Sequence, residues 1–227
     1  MKAIILAGGK GTRLAEFTKL IPKPMVKIKG RPIIVHIIKH FYKYGVKEIL
    51  IASGYKHKIL FEYFKNYNIY KDLKIKVINT GLNTLTGKRI FKLKKYFSND
   101  EIFFLTYGDG ISDVNLKKLY QFHLKHKKIA TLTAVHPPAR FGELKLRGGK
   151  LLNFDEKPQL SEGWINGGFF VLNQKFFKFL DNKNVMLERE PIQSLIKRKN
   201  LMAFKHNGFW MCMDTLRDKQ VLEKKIK

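Results

Sequence analysis

Within its first 25 residues the chain places backbone amides, a guanidinium and an ammonium where one anion could meet all three. Met1-Lys-Ala-Ile-Ile-Leu-Ala-Gly-Gly-Lys-Gly-Thr-Arg-Leu14 runs from an apolar segment into a glycine loop, and Pro22-Lys-Pro-Met25 follows. Gly8, Gly9 and Gly11 have no Cβ, so the backbone can turn tightly and bring its N–H groups close to a ligand. Such N–H groups form an anion-binding concavity, and phosphate is its common occupant. Two other phosphate motifs are excluded. The dinucleotide fingerprint needs a third glycine where this chain has Leu14, and a P-loop needs Gly-Lys-Ser/Thr where it has Gly11-Thr-Arg13. An ordinary strand–turn–helix also carries glycines, so the loop argues for function only together with residues elsewhere.

Isolated acids stand at the ends of strand-like runs. Asp109 closes Leu105-Thr-Tyr-Gly-Asp-Gly110, where two glycines leave its carboxylate open to a hard, oxygen-preferring cation such as Mg²⁺. A plain turn aspartate is the competing reading. Asp113 reads as a turn or helix-cap residue ahead of Val114. Asp155-Glu-Lys-Pro158 ends another strand. Pro158 stops its pairing and leaves Glu156 and Lys157 projecting, which suits a sugar phosphate and equally a solvated turn. Asn166-Gly-Gly168 interrupts the apolar run Trp164–Leu172, and paired glycines weaken a strand unless a backbone or a ligand comes close. A second isolated carboxylate, Asp214 in Phe209-Trp-Met-Cys-Met-Asp-Thr215, precedes a helix, where an N-cap is the alternative role. His36 and His40 share a helix face but lack the glutamate of a metalloprotease helix, and read as surface or interface residues. Cys212 lies among apolar neighbours with nothing to make it a nucleophile.

The elements that must position these groups alternate. Lys47–Ser53, Lys74–Thr80, Glu101–Tyr107 and Ile129–His136 are β-rich, while Pro32–Tyr44, Lys56–Lys65, Gly87–Phe97 and Val114–Lys127 read as helices. Alternation of this kind predicts an α/β, Rossmann-like architecture: a mainly parallel sheet with helices on both faces, and ligands at the carboxyl ends of the strands. The Gly8 loop and the Gly108-Asp109-Gly110 turn both fall there. After Pro137-Pro138 the pattern changes to a hairpin, Gly142–Leu146 with Leu151–Asp155, then a strand over Trp164–Leu172 and helices near Lys175–Leu180 and Leu187–Lys199. This small β-rich part is expected to form the wall facing the glycine loop.

The chain has 227 residues, enough for one domain with a sizeable core, and 44% are hydrophobic. No window approaches the roughly 18 uncharged apolar residues of a membrane span, and the N-terminal residues read as a strand in place of a signal peptide. One cysteine excludes a disulfide framework, and a cytoplasmic protein is expected. Forty-five Lys+Arg against 18 Asp+Glu give a formal charge of +27. The lysines are dispersed and accompany no nucleic-acid module, so the charge is read as drawing in a polyanionic small molecule.

Taken together, Leu6-Ala-Gly-Gly-Lys-Gly-Thr-Arg-Leu14 and Pro22-Lys-Pro-Met25 resemble the signature of the sugar-1-phosphate nucleotidylyltransferases. Thr106-Tyr-Gly-Asp-Gly110, Glu156-Lys-Pro158, Trp164-Ile-Asn-Gly-Gly-Phe-Phe-Val171, Gly208-Phe-Trp210 and Met213-Asp-Thr-Leu-Arg-Asp218 are most similar to the branch of that family using CTP and α-D-glucose 1-phosphate. The resemblance spans nearly the whole chain. It implies one nucleotidyltransferase domain over 1–227, with a nucleotide-binding part over about 1–136 and a sugar-phosphate-binding part over about 137–227. It implies a nucleotide site at Leu6, Ala7, Gly8, Gly9, Gly11, Thr12, Arg13, Lys23, Thr80, Gly81, Thr86, Tyr107 and Gly108, with Arg13, Lys23 and Asp109 in catalysis. Glu156, Lys157, Asn166 and Gly167 are implied on the sugar phosphate, and Asp109 and Asp214 on Mg²⁺.

The implied reaction is a single in-line displacement at the α-phosphorus that releases pyrophosphate, with catalysis by positioning and charge neutralisation. Another nucleoside triphosphate or another phosphorylated alcohol stays open as the substrate, as does a catalytically dead or nucleic-acid-binding relative. The stretch between Phe64 and Asn79 is shorter than in that branch, and the chain stops early at Lys227. Subunit contacts therefore stay open, a homo-oligomer included.

Overall fold

The computed structural model describes residues 1–67, 69–137, 143–155, 163–180 and 182–226. In chain order the strands are β1 (Lys2–Ala7), β2 (Lys27–Ile28), β3 (Arg31–Pro32), β4 (Glu48–Ser53), β5 (Lys74–Asn79), β6 (Ile102–Tyr107), β7 (Gly110–Ser112), β8 (Ala130–Val135), β9 (Glu143–Arg147), β10 (Lys150–Asp155), β11 (Ile165–Asn173), β12 (Leu201–His206) and β13 (Trp210–Cys212). The helices are α1 (Ala15–Thr18), α2 (Ile33–Lys43), α3 (His57–Lys65), α4 (Thr86–Phe91), α5 (Leu116–His126), α6 (Glu190–Lys197) and α7 (Leu216–Lys225).

Seven strands form one sheet in the order β12-β8-β11-β6-β1-β4-β5. Only β11 runs against the others: its pairings with β6 and β8 are antiparallel, and β12–β8, β6–β1, β1–β4 and β4–β5 are parallel. The expected mainly parallel sheet is thus observed. Near-continuous apolar runs along its central strands explain why it is buried on both faces. Ala3, Ile5, Phe104, Phe169 and Val171 pack on one side with α2, α3 and α5; Ile4, Leu6, Phe103, Leu105, Phe170 and Leu172 pack on the other with α4, α6 and a 3₁₀ turn at Gln174–Phe179. Among the described residues no helix is long and apolar enough to cross a membrane.

Several elements depart from expectation. The residues after 137 build more than a β-rich flank, because β11 enters the middle of the sheet and β12 closes its edge. Sequence patterning misses β12, since Leu-Met-Ala-Phe-Lys-His carries neither a clean alternation nor a buried run. The expected helix over Gly87–Phe97 divides into α4 and a 3₁₀ turn at Lys94–Tyr96. The helix expected from Leu187 starts only at Glu190, because Val185–Glu188 are bonded to the chain before and within α4: Val185 O accepts from Gly87 N at 3.0 Å, and Leu187 N donates to Thr86 Oγ1 at 2.8 Å.

Two minor elements fix the site. β7 pairs antiparallel with β13, Cys212 opposite Gly110, and Met213 N donates to Asp109 O at 2.9 Å. A separate apolar cluster of Leu14, Val26, Ile28, Ile33, Met211, Met213 and Leu222 fastens the stretch around Pro22–Met25 to β13 and α7.

Candidate active site

At the carboxyl ends of β1 and β6 lies a cavity of about 290 Å³ lined by Leu6, Ala7, Gly8, Gly9, Gly11, Thr12, Arg13, Lys23, Pro24, Thr86, Tyr107, Gly108 and Asp109. Eleven of the thirteen residues expected at a nucleotide line it, drawn from the glycine loop, the Pro22–Met25 turn, the start of α4 and the end of β6. Gly11 has φ +64°, in the left-handed region where glycine carries little penalty.

The other two expected residues lie behind the wall. Thr80 is fully buried; its hydroxyl donates to Ser53 O at 2.6 Å and accepts from Arg89 at 2.6 Å. Arg89 also donates to Gly81 O (2.7 Å) and Gly8 O (2.9 Å). This buried guanidinium is held by carbonyl and hydroxyl oxygens, and burial lowers its pKa. A Cβ on Gly8 would stand 2.2 Å from Arg89 Nη1, so glycine at this position makes room for the Arg89 guanidinium. Arg89 therefore pins the glycine loop to the ends of β4 and β5.

At the mouth of the cavity the two isolated carboxylates converge. Lys23 Nζ donates to Asp109 Oδ2 at 2.5 Å and to Asp214 Oδ1 at 2.7 Å, while Arg13 reaches Asp214 Oδ2 at 2.9 Å. Burial works against the charge of Lys23, but the adjoining Asp109 and Asp214 outweigh it and raise its pKa. Burial likewise works against Asp214, and Lys23 and Arg13 hold it below the usual carboxylate range. Cys212 Sγ joins them: one ligand atom each from Asp109, Cys212 and Asp214 lie within 4.8 Å of one another. Two carboxylates already bridged by a cation are a donor set that fits a hard divalent cation.

Several single-residue readings are corrected. Asp214 is not an N-cap; Thr215 caps α7 in a capping box with Asp218. Asp113 does not cap α5 either, since Asn115 does, and Asp113 pairs instead with His206 Nε2 at 2.9 Å. His36 and His40 are not simple surface residues: each is half-buried, with Nε2 at 2.9 Å from Ile28 O and Val114 O respectively. Cys212 stands among charges, not only among apolar neighbours. Gly167 and Gly168 admit side chains of the protein itself. A Cβ on Gly168 (φ +80°) would lie 2.6 Å from the Tyr107 ring, and one on Gly167 2.7 Å from Val135. Asn166 is exposed, and its Oδ1 accepts from Gly168 N at 2.9 Å. Glu156 and Lys157 lie outside the described residues.

Two further residues hold parts of the site together: Trp210, from the Gly208-Phe-Trp210 motif, and Glu188, which carries no sequence signal. Glu188 accepts from Tyr107 Oη and, at 2.9 Å, from Thr86 Oγ1. Trp210 Nε1 donates to Gly167 O at 2.7 Å, tying β13 to β11. Glu188 is one acid in Leu187-Glu-Arg-Glu-Pro191, with no spacing to mark it; only its rarity in so basic a chain could draw attention to it.

Comparison with known proteins gives the family and the fold. A family model described as nucleotidyl transferase matches residues 2–218. The chain is similar to the glucose-1-phosphate cytidylyltransferase of Salmonella typhimurium (strain LT2), 44% identical over 98% of this chain and 95% of the relative. It is also similar to mannose-1-phosphate guanylyltransferase 1 of Arabidopsis thaliana, 31% identical over 96% of this chain and 62% of that protein. Among solved structures, HddC from Yersinia pseudotuberculosis superposes with a TM-score of 0.78 over 100% of this chain and 99% of its own; at 24% identity it speaks for the fold alone.

Proposed function

The chain belongs to the nucleotidyl transferase family, and from that premise we propose that it transfers the cytidylyl group of CTP to α-D-glucose 1-phosphate, giving CDP-glucose and pyrophosphate. The observation that carries the reaction type is the Lys23 ammonium between Asp109 and Asp214 at the mouth of a cavity lined by the glycine loop. The choice of base and sugar is supported by the 44% identity to a glucose-1-phosphate cytidylyltransferase over nearly the full length of both chains.

In this reading the N–H groups of the Gly8–Arg13 loop, with Arg13 and Lys23, bind and orient the triphosphate. Lys157 holds the phosphate of glucose 1-phosphate, and Glu156 and Asn166 take its hydroxyls. An oxygen of that phosphate attacks the α-phosphorus in line as pyrophosphate leaves. The nucleophile is already ionised at neutral pH, so no general base is needed. Mg²⁺ held by Asp109 and Asp214 supplies further charge neutralisation on the phosphate oxygens when bound. Residues 1–227 act as one catalytic unit in the cytoplasm, where the nucleotide is available.

A pyrophosphate-release assay across the four nucleoside triphosphates and a panel of sugar phosphates tests the proposal. CTP with α-D-glucose 1-phosphate is expected to outperform every other pair. A site that hydrogen-bonds the edges of its substrate rejects analogues lacking them by orders of magnitude. Faster turnover with dTTP or GTP, or rejection of all hexose 1-phosphates, would leave only the family assignment standing.

A further inference from the structure

Asn184–Glu188 lie against Asn83–Gly87, the stretch that delivers Thr86 to the cavity. Asn184 receives from Leu85 N at 2.8 Å and donates to Asn83 O at 3.0 Å, and Gly87 N bonds Val185 O. This strap ends at Glu188, whose two carboxylate oxygens are each taken by a hydroxyl from a different side of the site. Oε2 accepts from Thr86 Oγ1 at 2.9 Å, and Oε1 accepts from Tyr107 Oη. Thr86 has no other arrangement open to it. Its oxygen already receives Leu187 N–H at 2.8 Å, so its one proton goes to Glu188. Tyr107 in turn is fixed from behind: its ring fills the space a Cβ on Gly168 would take, and Gly168 N donates to Asn166 Oδ1 at 2.9 Å.

We propose that Glu188 is a positioning residue that joins the nucleotide half of the site to the sugar-phosphate half, holding Thr86 on one side and, through Tyr107 and the Gly168 backbone packed under its ring, Asn166 on the other. The inference rests on the proposed reaction, which supplies the two halves. A carboxylate suits position 188 because each of its two oxygens accepts from one of the two hydroxyls and neither carries a hydrogen of its own. Glutamine has the same shape but turns an N–H₂ toward one of the two hydroxyls whichever way it flips.

Steady-state kinetics with CTP and glucose 1-phosphate, calorimetry with CTP and with CDP-glucose, and thermal melting are compared for wild type, Glu188→Gln, Thr86→Val and Tyr107→Phe. Thr86→Val is expected to raise KM for CTP selectively, and Tyr107→Phe, which loosens Gly168 and Asn166 behind it, to raise that for glucose 1-phosphate as well. Glu188→Gln raises both by about tenfold, the effect of leaving one donor unmatched, with a smaller change in kcat. The double variant Thr86→Val/Glu188→Gln is no worse toward CTP than Glu188→Gln alone, since the two act through one bond. A folded Glu188→Gln with both KM values unchanged, or losses that multiply in the double variant, overturns the assignment. Should Glu188→Gln fail to fold, the single partners decide, and equal, unselective losses in Thr86→Val and Tyr107→Phe overturn it. A wild type that neither binds CTP nor forms CDP-glucose brings down the proposed reaction and the Glu188 assignment with it. An active wild type beside an unaltered Glu188→Gln brings down the assignment alone.

Discussion

At the scale of single residues the site is governed by charge placed where water is scarce. Lys23 is buried, and a buried ammonium is tolerated only when anions meet it. Asp109 and Asp214 do so at 2.5 and 2.7 Å, and Lys23 in turn suppresses the repulsion between them. Removing either carboxylate removes an anchor for Lys23 and, in the proposed reaction, an oxygen donor for the metal. Asp109→Asn and Asp214→Asn are each expected to lower turnover by about 10² or more, read as kcat in the pyrophosphate assay. Near-normal kcat in both would refute the pairing. Lys157 is expected to act on the other substrate: Lys157→Ala weakens glucose 1-phosphate more than CTP in calorimetric titrations, and the reverse order would reassign the two lysines.

At the scale of elements, bends and buried polar groups between packed segments carry the strain. The β11 register shifts between Asn166 and Phe170, and Gly168 there adopts φ +80° under the Tyr107 ring. Gly168→Ala meets both a disfavoured backbone region and a 2.6 Å contact, and is expected to destabilise by about 1–3 kcal/mol, read as a lowered melting temperature. A melting temperature equal to wild type would show that β11 relaxes freely. Between α5 and β8, His123 Nδ1 and His126 Nε2 share Thr131 Oγ1 at 2.9 and 2.7 Å. Burial, followed by the neighbouring His126, lowers the His123 pKa to about 4. The unfolded chain takes up a proton below about pH 6.5 while the folded chain stays neutral, so stability falls as pH drops from about 6.5 to 4, by up to about 3 kcal/mol from this one group. Chemical denaturation of His123→Gln across that window is expected to show a shallower loss, and equal slopes would remove His123 from the acid response.

At the scale of the whole molecule, a chain of formal charge +27 carries the cavity to which the proposed reaction brings its phosphates. Long-range attraction raises the encounter rate of polyanions and is screened once the Debye length falls to about 10 Å near 0.1 M salt. KM for CTP is therefore expected to rise with added NaCl more steeply than kcat falls. A KM independent of salt would show that the net charge plays no part in capture.

Most of the residues that line the cavity were legible before the structure, and so was the alternation that builds a mainly parallel sheet. Glycine loops, isolated acids at strand ends and apolar runs of strand length are local properties, set by what one stretch of backbone can do next to water or a ligand. Their assembly is not local. Asp109 and Asp214 meet because the three-residue ladder β7–β13 sets Cys212 opposite Gly110, and nothing in Gly-Ile-Ser or Trp-Met-Cys announces that pairing. Thr80, expected at the nucleotide, is instead buried and bonded to Arg89, a consequence of how α4 packs against the ends of β4 and β5. Glu188 gains its partners only through the fold that brings Asn184–Glu188 onto Asn83–Gly87, residues about a hundred positions apart. Hydrogen bonds and ion pairs act over about 3 Å. The sequence therefore determined which groups were available, and the tertiary structure decided which of them meet.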